Sequence, residues 1–438
     1  MTLAAKRNMR LEDALQAAEA RYAGRNPESR RRQALAREVM PGGNTRSILH
    51  FSPFPLVMAG GEGASLTDVD GHRYIDFLGE YTAGLYGHSH PVILEAARRA
   101  LDGGIVLGAP NRDEAELAAL MCARFPSVEM VRFCNSGTEA NLNALTAARA
   151  ATGRDRILVF EHAYHGGMLS FAPGLGRTTA PFPFVMAPYN DTERTLALIE
   201  AHEHELAAVI VEPMMGAGGG IPGEPGFLEA LRAATERTGA LLIFDEVMTS
   251  RLSPGGRQAT LGITPDMTTF GKYLGGGMSF GAFGGRRRIM ERFDPARPDS
   301  IPHSGTYNNN VMTMAAGVAG LREVFTAEEA VRLNRDGDRL RERLNALGER
   351  LDVPFQATGV GSILCLHLQR EPVRRPEDTA HTTPDARALL HLELLDRGWY
   401  LARRGFVSLS LPLTPADHDG LLAALEEILS EYGDLLTA

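Results

Sequence analysis

Through the middle of the chain, short apolar runs alternate with stretches of helical spacing. "VRFC" (131–134), "ILVF" (157–160), "AAVIVE" (207–212) and "ALLIFD" (240–245) are nearly continuous apolar runs of strand length. Residues 113–124, 138–151, 192–203 and 225–238 instead place apolar positions three and four apart, the period of a helix with one buried face. Strands without polar alternation, separated by helices, predict a mainly parallel sheet covered by helices, an α/β architecture. This pattern extends from about Leu78 to Arg322.

The two flanks differ. The first forty residues have helical spacing, and "PGGN" (41–44) ends that run. Asp70-Gly71 between two alternating segments predicts a β-hairpin. From about Phe325 the chain returns to longer helices with a few strands, "ILCLHL" and "FVSLSL" among them. The expected division is 1–77, 78–324 and 325–438, with the middle segment as a large ligand-binding domain and the last as an α+β unit.

Composition narrows the class. The net charge of −9 argues against a nucleic-acid binder. No apolar stretch approaches the roughly 18 residues of a membrane span, and the N-terminus lacks the apolar core of a signal peptide, so a cytoplasmic protein is expected. Cys122, Cys134 and Cys365 are scattered without a CxxC spacing and are expected to be small core residues. The close histidines of "HSH" (88–90) and "HAYH" (162–165) have no third ligand at a recognisable spacing, and "HEHE" (202–205) is not HExxH. No metal site is expected.

In an open parallel sheet, ligands bind beyond the carboxyl ends of the strands. After "VRFC" comes "NSGTEAN", a small polar cluster opening a helix, which suits a phosphate through unpaired N–H groups and partial positive charge. An ordinary helix cap would look the same. Asp245 ends a buried strand, where a carboxylate is costly unless paired; a cationic ring nitrogen would be a suitable partner. Lys272 lies in "TTFGKYLGGGMSFGAFGG", a segment with no other charge. Desolvation there would lower its pKa and make its amine a nucleophile towards aldehydes. The segment is no P-loop, since Tyr273 follows the lysine and Asp266 stands where that motif needs glycine. A phosphate cup, a carboxylate for a pyridinium and an aldehyde-binding lysine together describe pyridoxal 5'-phosphate.

"NSGTEAN", "YHGG", "VEP", "FDEV", "GKYLGGG" and "HSGTYNNN", in this order, resemble the class III aminotransferases of the pyridoxal-phosphate fold-type I superfamily. Within that class "PGGNTRS", "EYTAGLYGHS" and "RRGFVSLSLPLT" resemble the β-amino acid aminotransferases of the glutamate-1-semialdehyde aminomutase-like branch. The resemblance implies a large domain plus a smaller α+β domain built from both terminal segments. It implies that Lys272 carries the cofactor's aldehyde carbon, that Asp245 holds the ring nitrogen, and that Val247 and Tyr164 cover the two ring faces. Ser136, Gly137 and Thr138 would bind the phosphate, with Thr306 supplied by the other subunit of a homodimer. Glu212 would neighbour the ring oxygen or stand behind it. Arg46 and Arg404 would bind substrate carboxylates by their guanidinium forks, and Phe51, Phe54, Tyr81 and Met278 could line an aromatic pocket. The implied reaction moves the amino group of a β-amino acid, an aromatic one such as β-phenylalanine favoured, to 2-oxoglutarate or pyruvate. The alternatives are a glutamate-1-semialdehyde aminomutase, another class III amine or ω-amino acid transaminase, or a non-catalytic relative. Against the aminomutase, "PGGNTRSILHF" places Arg46 where that branch has a proline-containing run.

Overall fold

The structure is a computed structural model that describes residues 10–436; the helical reading of residues 1–9 lies outside the described residues. Among the described residues, seven strands form the central sheet. Their spatial order is Met130–Cys134, Gly281–Gly285, Met267–Gly271, Leu241–Asp245, Leu206–Val211, Arg156–Phe160 and Phe184–Ala187. Gly281–Gly285 runs antiparallel to both neighbours and the remaining pairs are parallel. Its reversal follows from its connection: residues 272–280 separate it from Met267–Gly271, too few for the crossover of a dozen or more that a parallel return needs. Every residue of Leu206–Val211 and Leu241–Asp245 is buried, which is why these runs show no polar alternation.

Helices cover the sheet where the spacing predicts them. Helix Gly137–Thr152 packs on Met267–Gly271 and Gly281–Gly285 through a face of small residues, Ala140, Ala144, Ala147 and Ala148. Ser136 caps it by accepting the Glu139 N–H at 3.2 Å, and Gly153 ends it at φ 68°. Helix Pro225–Thr238 buries Phe227, Leu228 and Leu231 and packs on Leu206–Val211 and Leu241–Asp245.

The terminal segments supply two smaller sheets, and they meet in the first of them. Ser65–Asp68 and Arg73–Asp76 pair antiparallel across the turn that holds Asp70-Gly71, and Trp399–Tyr400 adds in parallel beside Arg73–Asp76. Gln356–Val360, Ile363–His367 and Phe406–Ser408 form an antiparallel sheet. Helix Leu11–Arg25 packs against Pro384–Asp396, so chain ends far apart in sequence share one apolar core. No helix among the described residues is long and apolar enough to cross a membrane.

Candidate active site

The carboxyl ends of the parallel strands open onto one cavity of about 630 Å³. Its wall includes Ser136, Gly137, Thr138, Tyr164, Glu212, Asp245, Val247, Lys272 and Arg46, brought together from segments far apart in the sequence. Lys272 is one of two lysines in the chain, the other being Lys6.

Lys272 follows its strand directly and takes φ 58°, a left-handed conformation that costs a non-glycine residue on the order of 1–3 kcal/mol. Its Nζ donates to the Tyr81 carbonyl. Tyr81 lies in a turn of four consecutive positive-φ residues, Gly79 (52°), Glu80 (46°), Tyr81 (52°) and Thr82 (81°). Packing imposes this turn. A Cβ on Gly79 would stand 3.1 Å from the Ser408 carbonyl. The fully buried Arg251 donates to the Thr82 carbonyl (3.5 Å), to Ser362 Oγ and Ser408 Oγ (3.0 Å each) and to the Leu409 carbonyl. The protein surrounding the half-buried Lys272 penalises its charged form and lowers its pKa to about 7; the Arg404 guanidinium pushes the same way, and Asp245 opposes them.

Asp245 ends its strand with the carboxylate fixed on three sides. Oδ1 accepts the Val247 N–H at 3.0 Å, and Oδ2 accepts Asn141 Nδ2 at 2.8 Å. His165 Nδ1 lies 2.8 Å from Oδ2, and an ionised carboxylate only accepts, so Nδ1 carries the proton. The Asn141 amide is oriented in turn by Thr269 Oγ1, which donates to its Oδ1 at 2.6 Å. His165 Nε2 is buried with no partner among the described residues.

The expected anion cradle is built on glycines that leave no room for a Cβ. The N–H groups of Gly137 and Thr138 precede the hydrogen-bond ladder of their helix and carry its positive end. A Cβ at Gly166 would lie 2.2 Å from Thr138 Oγ1, one at Gly137 2.9 Å from Val247 Cγ2, and one at Gly281 2.1 Å from the Ser136 carbonyl. Ser136 and Glu139 act as an ordinary cap as well: the Glu139 carboxylate reaches back to the Asn135 N–H at 3.1 Å.

Other expected residues fall in different places. Glu212 is buried in the wall, and burial raises its pKa; its carboxylate accepts the N–H groups of Tyr164 (3.0 Å) and Gly216 (2.9 Å), holding the Tyr164 loop. The Tyr164 side chain is half-exposed. Arg46 and Arg404 both lie over the Tyr81 ring, 5.7 and 5.2 Å from its centroid, and Arg404 is also 5.4 Å from that of Phe406. Met278 lines the cavity, and Phe51 lines an adjoining one that shares Glu80 and Met278. Phe54 does not line either; it packs against Tyr22 at 5.1 Å. Thr306 is exposed and apart from the Lys272 cavity, in a surface pocket with Ile105, Val106 and Leu107. Sequence reasoning missed Asn141, His165, Glu80 and Arg251. The first two stand inside the quoted motifs "NSGTEAN" and "YHGG" and Glu80 opens "EYTAGLYGHS", which was the available signal.

A helix N-terminus ringed by glycines, an oriented carboxylate and a lysine of lowered pKa fit the phosphate, ring nitrogen and aldehyde of pyridoxal phosphate. Residues 50–429 match the family model for aminotransferase class-III. The chain is 53% identical over 426 residues to a β-phenylalanine transaminase of Variovorax paradoxus, covering 97% of this chain and 98% of that one. A solved β-phenylalanine aminotransferase from Variovorax paradoxus matches with a TM-score of 0.96 at 53% identity, over 97% of this chain and 99% of that one. Glutamate-1-semialdehyde 2,1-aminomutase 2 of Brevibacillus brevis is 40% identical over 405 residues, 88% of this chain and 94% of that one. A solved transaminase with pyridoxal phosphate bound matches with a TM-score of 0.86 at 33% identity, over 94% of this chain and 99% of that one. The chain belongs to the class-III aminotransferases and is a pyridoxal-phosphate enzyme.

Proposed function

We propose that this aminotransferase takes its amino group from a β-amino acid, an aromatic one such as β-phenylalanine, and passes it to an α-keto acid, 2-oxoglutarate or pyruvate. The observation that carries the reading is the likeness to a β-phenylalanine transaminase over nearly the whole chain. The arrangement suits it: the Arg46 and Arg404 guanidiniums both lie over the ring of Tyr81, whose carbonyl accepts from Lys272 Nζ, and Arg46 is on the cavity wall.

Bound pyridoxal phosphate supplies an aldehyde that takes up the amino group and a ring that withdraws electrons. The chain's residues do the rest. Gly137 and Thr138 N–H groups would bind the phosphate, Asp245 would hold the ring nitrogen's proton, and Val247 and Tyr164 would cover the ring faces. Lys272, with its pKa near 7, is largely neutral at a pH of about 8, where an ordinary lysine is under roughly 1% neutral. It can therefore act as a nucleophile and then shuttle a proton at the amine-bearing carbon. In a β-amino acid the carboxylate lies one carbon further from that centre than in an α-amino acid, and Arg46, on the cavity wall, would serve that offset.

We read the enzyme as a homodimer with shared sites. Thr306 stands on the surface beside Ile105, Val106, Leu107 and Tyr307, large apolar side chains that a second copy would cover. Light scattering of the purified protein tests this, and a monomer at working concentration would refute it.

A half-reaction screen tests the substrate reading. The pyridoxal form is mixed in turn with β-phenylalanine, other β-amino acids, α-amino acids and simple amines, and bleaching of the visible band is followed. Aromatic β-amino acids should react fastest. Reaction with α-amino acids or ω-amines alone would sink the reading. Clean isomerisation of glutamate semialdehyde without a keto acid would move the assignment to the aminomutase.

A further inference from the structure

Arg251 is fully buried, and no carboxylate pairs with it among the described residues. Its guanidinium faces neutral oxygens: Ser362 Oγ, Ser408 Oγ and the carbonyls of Leu409 and Thr82. Burial lowers its pKa to about 10, which leaves it charged at neutral pH. A buried charge without a counter-charge is costly, so its place calls for a reason. Three of its partners, Ser362, Ser408 and Leu409, lie in or beside the sheet Gln356–Val360, Ile363–His367 and Phe406–Ser408. The fourth, Thr82, ends the left-handed turn. Glu80, Tyr81 and Thr82 are three consecutive non-glycine residues at positive φ, a conformation that persists only where the surroundings force it. The same sheet grips the turn from its other side. The Ser408 N–H donates to the Phe77 carbonyl at 2.7 Å, and the Tyr81 ring stacks on Phe406 at 5.7 Å. What the strained turn presents is the Tyr81 carbonyl, which accepts from Lys272 Nζ.

We propose that Arg251 is a positioning residue for the reactive amine: it pins the Gly79–Thr82 turn to the C-terminal sheet, so that the Tyr81 carbonyl holds Lys272 Nζ in one place. The proposal rests on the reading of Lys272 as the amine that captures the cofactor's aldehyde. A guanidinium suits the task because its N–H groups point several ways from one rigid plane, so it spans Thr82, Ser408 and Leu409 at once. An ammonium at that place is a point charge on a flexible stem. A carbonyl suits the other end. It can only accept, so the neutral amine donates an N–H to it and keeps its lone pair, the nucleophilic and basic site, free. A lysine side chain is flexible, and an amine held in one orientation gains the rate that a freely rotating one loses.

The test separates the amine from the cradle. Apo forms of the native chain, Arg251→Lys and Ser408→Ala are compared, with circular dichroism to confirm the fold. The first readout is the rate at which saturating pyridoxal phosphate is captured, followed by visible absorbance. The second is the affinity, by titration calorimetry, for 4-deoxypyridoxine phosphate, which keeps the phosphate and ring nitrogen but has a methyl group in place of the aldehyde and cannot bond to a lysine. Capture should slow roughly 10- to 100-fold in Arg251→Lys, the size expected when a reacting group is misplaced by about 1 Å. It should slow roughly three- to tenfold in Ser408→Ala, which loses one hydrogen bond. Affinity for the analogue should change less than about threefold in both. Capture at the native rate, or capture and analogue affinity falling together, would overturn the proposal, since a merely structural arginine would loosen the whole site. Arg251→Lys decides where it folds, and Ser408→Ala decides where it does not. Undiminished capture by Lys272→Ala would overturn the Lys272 reading itself, and this inference with it.

Discussion

Gly281→Ala probes the cofactor cradle without touching a group that bonds to the cofactor. The new Cβ would lie 2.1 Å from the Ser136 carbonyl oxygen, 2.5 Å from its carbon and 2.8 Å from Cys134 Sγ. Ordinary van der Waals contact begins near 3.4 Å, so backbone must part from backbone. Neither side can slide freely. Gly281–Gly285 is hydrogen-bonded to strands on both edges, and Ser136 caps the helix whose N-terminus is the cup. Overpacking of this kind costs about 1–3 kcal/mol, and a change of about 1.4 kcal/mol is tenfold in affinity. Where the strain is relieved by moving Ser136, it appears in the cofactor's dissociation constant. That constant should rise on the order of 5- to 100-fold. The assay titrates the apo form with pyridoxal phosphate, following visible absorbance, beside a thermal melt of the apo form. Gly226→Ala is the control: a Cβ there meets nothing within 4 Å, and affinity should not change. An unchanged cofactor affinity in Gly281→Ala would refute the cradle.

Four further outcomes follow from the same geometry. Asp245→Asn leaves the ring nitrogen without a counter-charge; losing one partner of a buried pair costs about 3–5 kcal/mol, so turnover should fall roughly 10²- to 10⁴-fold while cofactor is still bound, and near-normal turnover would contradict the assignment. The rate at which apo enzyme captures the cofactor's aldehyde should rise with pH through about 7 and then level, because the neutral amine is the nucleophile and Lys272 titrates there; a rate still climbing tenfold per pH unit to about pH 9 would indicate an ordinary lysine. Arg404→Gln removes a positive charge that disfavours the ammonium and should move that midpoint upward; a downward shift would reverse the electrostatic argument. Ile210→Ala, in the fully buried strand Leu206–Val211, should cost about 2–5 kcal/mol in urea unfolding, and a smaller loss would mean the sheet repacks around it.

What was legible in the sequence was whatever had a local signature. Buried parallel strands advertise themselves by continuous apolar runs, so the strands ending at Cys134, Phe160, Val211 and Asp245 were readable to within a residue or two. The loops after them then pointed to one site, because the fold brings strand ends together. Gly281–Gly285 was harder: "GAFGG" is poor in β-formers, and its glycines answer to neighbours such as Ser136 and Asp266, which no local pattern contains. The seat of the Lys272 amine was unreadable for a plainer reason. Its partner is a backbone carbonyl 191 positions away, and a carbonyl has no residue type. The left-handed turn at Gly79–Thr82 was equally hidden, since its restraint comes from Arg251 and Ser408, while "GEYT" has glycine as its only cue to positive φ.

The central claim is that the amine of Lys272 carries the cofactor. The chain offers a clean test, because Lys6 is the other lysine. The holoenzyme is reduced with borohydride, which makes the link between lysine and the cofactor's aldehyde carbon permanent, and is then digested and analysed by mass spectrometry. The account predicts one pyridoxyl group, on the peptide that contains Lys272, and loss of that label in Lys272→Ala. A label on Lys6, or holoenzyme that retains its cofactor absorbance yet yields an unmodified Lys272 peptide, would contradict it.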